Sequence, residues 1–111
     1  MWALRRVAIV GACCTRVGEH WSKSLGDLFS EAALASIENA HDPSIEAVFV
    51  GNMFSGFAIH QEHLGSLLAD AVALSGCSAA KVEAACASGG VAMHHGFMAV
   101  ASGMADFVLV G

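Results

Sequence analysis

A chain of 111 residues has room for one domain or for part of one. It is 56% hydrophobic and only 14% charged, against about 25% charged in ordinary soluble domains, and its mean hydropathy is +0.62. The net charge of −5 and the lack of any basic cluster exclude nucleic acid as a partner. No apolar run reaches the roughly 18 residues of a membrane-spanning helix, so the excess apolar surface must be buried against more protein.

Arg5–Gly11, two arginines followed by the apolar Val7–Val10 and a glycine, reads as a buried strand ending in a turn. Arg5-Arg6, the run Val7–Ala12 and then Cys13 resemble a lipoprotein signal, but the run is shorter than the roughly 7–15 residues of a signal core. A strand accounts for it better. Ala12–Lys23 reads as a loop. Ser24 and Asp27 have the spacing of a capping box, so a helix is expected from there to about Ala40, with Leu25, Leu28, Phe29, Ala32, Ala33 and Ile37 on its buried stripe. Asp42-Pro43 stops it.

Ile45–Val50 is a second apolar strand, and Met53–Glu62 a glycine-containing loop. His63–Leu74 has helical spacing at Leu64, Leu67, Leu68 and Ala71, with Ser75-Gly76 as its stop. Lys81–Ala85 is predicted as the third strand, Ser88–Gly103 as the third helix and Phe107–Val110 as the fourth strand. The order βαβαβαβ with apolar strands predicts an α/β fold, a mostly parallel sheet covered by helices on both faces. Between Val82 and Gly111 the only formally charged side chains are Glu83 and Asp106, and the third helix is apolar around its whole circumference. Such a helix needs burial on all sides. The fold is therefore expected to be incomplete, residues 1–111 being the N-terminal portion of a larger domain.

Four cysteines, Cys13, Cys14, Cys77 and Cys86, include no C-x-x-C pair, and adjacent cysteines rarely bridge, so neither a metal site nor a disulfide framework is expected. Reduced thiols and the lack of an export signal point to the cytoplasm. His60 and His63 lack the spacing of a metalloprotease helix and read as surface residues, while His94 and His95 are adjacent on a helix and cannot chelate jointly. Cys13, Cys14 and Cys77 are expected to fill space. Cys86 differs from them. It stands where the third strand turns sharply into the third helix, beside the first free backbone N–H groups, and these favour the thiolate that acts as a nucleophile. The residues that follow, Ala87-Ser88-Gly89-Gly90, are small enough for a substrate to approach the helix end. A buried structural cysteine is the alternative.

The segments Val7–Gly11, Ser24–Leu34, Val48–Met53, Gly103–Gly111 and above all Val82-Glu-Ala-Ala-Cys-Ala-Ser-Gly-Gly90 resemble the N-terminal portion of a thiolase. Glu83 in that motif, with Gly51-Asn-Met53 and Gln61-Glu-His63, is most similar to the archaeal and sterol-carrier-like acetyl-CoA acetyltransferase branch. The resemblance implies two similar halves around central helices, with the third helix in the shared middle layer. It implies Cys86 as the catalytic residue that takes the acyl group from acyl-CoA or acetyl-CoA. It further implies CoA thioesters as substrates without a metal, a homo-dimer or homo-tetramer, and second-half groups to complete the mechanism. The CoA-binding residues are not assigned. The second-half motifs do not follow Gly111, so a truncated product, a partial sequence or one piece of a split enzyme is expected, inactive and poorly soluble by itself. Two further readings stand beside this one. A ketoacyl-synthase-like condensing enzyme could use the same fold, with a carrier-protein or OB-fold partner. A non-catalytic fragment could serve only as a partner subunit.

Overall fold

The computed structural model describes residues 3–111. The first helix, α1 (Leu25–Asn39), begins where the capping box places it: Ser24 Oγ accepts from the Asp27 N–H at 3.1 Å and Asp27 Oδ2 accepts from the Ser24 N–H at 2.8 Å. Leu25, Phe29, Ala33 and Ile37, spaced one turn apart, form its face against the core. After Ala40, His41 and Asp42 both adopt left-handed φ and Pro43 follows, so no further helical turn can be added.

Three strands form one parallel sheet in the order β2-β1-β3: β1 (Ala47–Gly51), β2 (Ser78–Val82) and β3 (Val108–Val110). The central strand pairs Val48 with Ala79 on one side and with Leu109 on the other. Between β1 and β2 lie a short helix, α2 (Ser55–Ile59), and α3 (Leu64–Ala71); between β2 and β3 lies α4 (Ser88–Ala101), which crosses over β1. Strand side chains alternate between faces. Val48, Val50 and Leu109 join Ala33, Leu64, Leu68, Ala69 and Val72 in the core beneath α1 and α3. On the opposite face Phe49 meets the His95 ring of α4 at 5.8 Å, and Val108 and Val110 press on Gly96. The parallel sheet covered on both faces is thus present. None of the helices among the described residues is long and apolar enough to cross a membrane.

Three expectations need correction. Arg5–Gly11 runs as an exposed, unpaired segment rather than a strand, with Ile9 76% exposed. Its flanks are tied to helix ends instead of a ladder: the Arg5 N–H donates to the Ala101 carbonyl of α4, and the Ala12 N–H to Asn39 Oδ1 of α1. The strand expected at Lys81–Ala85 occupies Ser78–Val82, because pairing with β1 runs from Ala47–Ser78 to Gly51–Val82 and the chain then turns at Glu83. The stretch Met53–Glu62 is not all loop. Asn52 Oδ1 accepts from the N–H groups of Phe54 and Ser55 at 2.8 and 2.7 Å, which starts α2, and His60 closes it in a left-handed conformation. Helix α4 buries Ala92, Gly96 and Ala101 against the sheet but leaves Met93 and Phe97 50% and 45% exposed.

Candidate active site

Four residues separate the end of β2 at Val82 from Ala87, the N-cap residue of α4. Within them Ala85 takes φ 51°, a left-handed conformation that costs a residue with a Cβ about 1–3 kcal/mol. The surrounding hydrogen bonds offset that cost. Glu83 Oε1 accepts from the Ala85 N–H at 3.0 Å. The Ser88 hydroxyl accepts from the Ala84 N–H at 2.9 Å and donates to the Ala85 carbonyl at 2.7 Å. Backbone bonds from Ala87 to Ala84 and from Ser88 to Ala85 complete the turn. Ser88 is only 4% exposed, so both functions of its hydroxyl are used inside the protein.

This turn delivers Cys86 to the surface at the head of α4, where its thiol is free and exposed. Among the described residues the N–H groups of Cys86, Gly89 and Gly90 donate to no backbone carbonyl, as expected of a helix N-terminus. No side chain caps this end, and open space lies where a Cβ at Gly89 or Gly90 would stand. An exposed cysteine therefore directly precedes the N-cap of a helix whose first donors are unpaired and whose dipole is positive at that end, with open space at Gly89 and Gly90. That arrangement suits attack by sulfur on a carbonyl whose oxygen gathers negative charge.

The elbow is anchored to the sheet. The Asn52 N–H donates to the Val82 carbonyl at 3.1 Å, and a Cβ on Gly51 would lie 2.7 Å from the Gly89 nitrogen. Strand β1 and the start of α4 thus touch backbone to backbone, which only glycine permits here.

The other candidate residues are not gathered at this point. His60 closes α2 and His63 precedes α3, both exposed. His94 is exposed and stacks on Phe97, while the His95 Nδ1 lies 2.9 Å from the Val91 carbonyl. Among the described residues no group of three or more His, Cys, Asp or Glu side chains is placed to hold a metal ion. Cys77 is half-buried against the core and does fill space, but Cys13 and Cys14 are exposed and do not. They follow the unpaired N-terminal segment, and with no strand there the chain has no interior position to give them.

Glu83, Ser88 and Gly51 are the residues of this site whose roles the sequence reading missed. Glu83 registered as a branch marker, Ser88 as one of several small residues and Gly51 as a strand end. A charged residue two positions before a tight turn and a serine two positions after the cysteine were the available signals.

The family model described as the thiolase N-terminal domain matches residues 7–111. The acetyl-CoA acetyltransferase of Methanothermobacter thermautotrophicus is 46% identical over 108 residues, which cover 96% of this chain and 28% of that protein. The acetyl-CoA acetyltransferase of Methanocaldococcus jannaschii is 42% identical over 110 residues, covering 97% of this chain and again 28% of the relative. The chain therefore spans little more than a quarter of the length of these relatives. Since the matched stretch takes in the sheet, every helix and the cysteine elbow, the chain belongs to the thiolase family, within its N-terminal domain.

Proposed function

We propose that this chain supplies the acyl-accepting nucleophile, Cys86, of a CoA-dependent acyltransferase of the acetyl-CoA acetyltransferase kind. The observation that carries the reading is the exposed Cys86 thiol immediately before the N-cap of α4, whose first N–H groups are unpaired. Its setting in a chain 46% identical to an acetyl-CoA acetyltransferase supports the choice of substrate.

In the proposed step the Cys86 Sγ, as thiolate, attacks the thioester carbonyl of an acyl-CoA. The carbonyl oxygen becomes an oxyanion and is met by backbone N–H donors at the helix end. The bond from the carbonyl carbon to the CoA sulfur then breaks, and CoA leaves as a thiolate that takes up a proton. The acyl group remains on Cys86 as a new thioester. Thiolysis, or condensation with a second acetyl-CoA, follows from there. The groups that activate Cys86 and take the α-proton come, in this reading, from the remainder of the enzyme. The same reading makes the enzyme a cytoplasmic homo-dimer or homo-tetramer and assigns no step to a metal.

The test is acylation of the complete enzyme by acetyl-CoA, followed by peptide mass spectrometry. An acetyl group on the Cys86 peptide is expected, together with loss of at least about a thousandfold in turnover for Cys86→Ala. A Cys86→Ala enzyme with parental turnover would sink the assignment.

A further inference from the structure

We infer that Glu83 and Ser88 are positioning residues that aim Cys86 by holding Ala85 in its left-handed conformation. The inference rests on the reading of Cys86 as acyl acceptor and goes beyond it, because neither side chain needs to touch the substrate.

Both backbone polar groups of Ala85 are engaged by these two residues. Its N–H donates to Glu83 Oε1 at 3.0 Å, and its carbonyl accepts from the Ser88 hydroxyl at 2.7 Å and the Ser88 N–H at 3.1 Å. The Ser88 hydroxyl also receives the Ala84 N–H at 2.9 Å, so one buried oxygen bridges the Glu83–Ala84 and Ala85–Cys86 peptides on either side of the turn. Among the described residues the Cys86 side chain has no hydrogen bond of its own, so the direction of its sulfur is inherited from the backbone before it. Should Ala85 relax from φ 51° to the ordinary negative range, the following residue would be redirected relative to the head of α4.

The two residues differ in kind. Ser88 is buried and belongs to the packing of α4, whereas Glu83 is exposed and adds little apolar burial. Its carboxylate accepts a charge-assisted bond, roughly twice as strong as a neutral one, from the N–H of the one residue in the turn whose φ is unfavourable. A surface glutamate placed there acts on geometry more than on stability.

The test compares Glu83→Gln, which keeps the Oε1 acceptor, with Glu83→Ala, which removes it, in the complete enzyme. The readouts are the rate of Cys86 acylation by acetyl-CoA in a single turnover, the KM for acetyl-CoA and the thermal midpoint. Glu83→Ala is expected to slow acylation by about 10- to 100-fold, as a displacement of about 1 Å does, with KM and midpoint near the parent. Glu83→Gln is expected to restore the rate to within about threefold of the parent. Parental speed in Glu83→Ala overturns the inference, and so does equal slowing in both variants, which would assign the effect to charge. A second arm adds Ala85→Gly to Glu83→Ala. Glycine enters the left-handed region freely and should recover part of the lost rate, and no recovery overturns the inference independently. If the parent enzyme carries its acyl group on a residue other than Cys86, the nucleophile assignment fails instead, whatever the Glu83 variants do.

Discussion

Gly51 at the end of β1 lies so close to Ser88 at the head of α4 that a Cβ on the glycine would stand 2.5 Å from the Ser88 carbonyl carbon. The atoms in the way are backbone on both sides, so no side-chain rotation can relieve the overlap. Gly51→Ala should therefore push the helix head off the sheet, costing about 1–3 kcal/mol of stability as overpacking does. The urea midpoint of the complete enzyme measures the cost, and an unchanged midpoint would show that the two backbones separate easily.

Gly90 provides the contrast, since nothing lies within 4 Å of the space its Cβ would fill. Gly90→Ala should leave stability within about 0.5 kcal/mol of the parent, as surface changes do. Acylation by acetyl-CoA should nevertheless slow, because the methyl group fills open space at the head of α4, the side from which the acyl group is proposed to approach. Equal acylation rates in parent and variant would show that the acyl group approaches from another side.

The capping box makes the stability of α1 depend on pH. The backbone N–H of Ser24, then its hydroxyl, hold the Asp27 carboxyl below its ordinary value of 3.8. A lowered folded pKa means that the stabilisation is complete above the unfolded value and is lost as pH falls through the folded one. Asp27→Asn should thus destabilise the chain near neutrality and progressively less below pH about 3.8. Urea titrations of parent and variant at pH 6 and pH 3 give the comparison, and a penalty equal at both would remove the Asp27 link.

Thiol accessibility gives a direct check on the placement of the cysteines. Iodoacetamide should modify Cys13, Cys14 and Cys86 in the folded chain well before Cys77, which is half-buried and lies 3.4 Å from the Leu74 carbonyl through its Sγ. Peptide mass spectrometry over a time course resolves the order. Early labelling of Cys77 would mean that α3 and β2 open readily.

The outer face of α4 leads to a prediction for the 111-residue chain in isolation. Met93, Phe97 and Met98 are all exposed there, and contiguous apolar surface drives association. Replacing the three by Gln, Ser and Gln should shift sedimentation toward the monomer. A parent chain that is already monomeric at high concentration would contradict this.

Features with a local cause were legible in the sequence. The capping box started α1, the four-residue spacing from Leu25 to Ile37 chose its buried face, and the small residues after Cys86 started α4 at Ser88. Features that depend on a partner elsewhere in the chain were not. Apolar composition marks Arg5–Gly11 as able to form a strand but does not supply a neighbour to pair with, and here its flanks bind helix ends. The β2 boundary moved for a related reason. Ser78, Ala79 and Ala80 have weak strand propensity, and only the register against Ala47–Phe49 makes them a strand. The place of Cys86 was readable, but the turn that presents it was not, because nothing in the composition of Ala84-Ala85 announces a left-handed residue.

Gly96 has a consequence that matches that of Gly51. The Val108 and Val110 side chains occupy the space its Cβ would take, so α4 rests on the sheet at its middle as well as at its head. Two points of near-backbone contact fix a rod against a plane, and the helix cannot tilt or slide without the sheet. Cys86 is then placed from the strands and not from the connecting segments. Insertions or deletions in the stretches 12–23 and 57–61 should accordingly be tolerated without moving Cys86, whereas a single methyl group at either glycine should not.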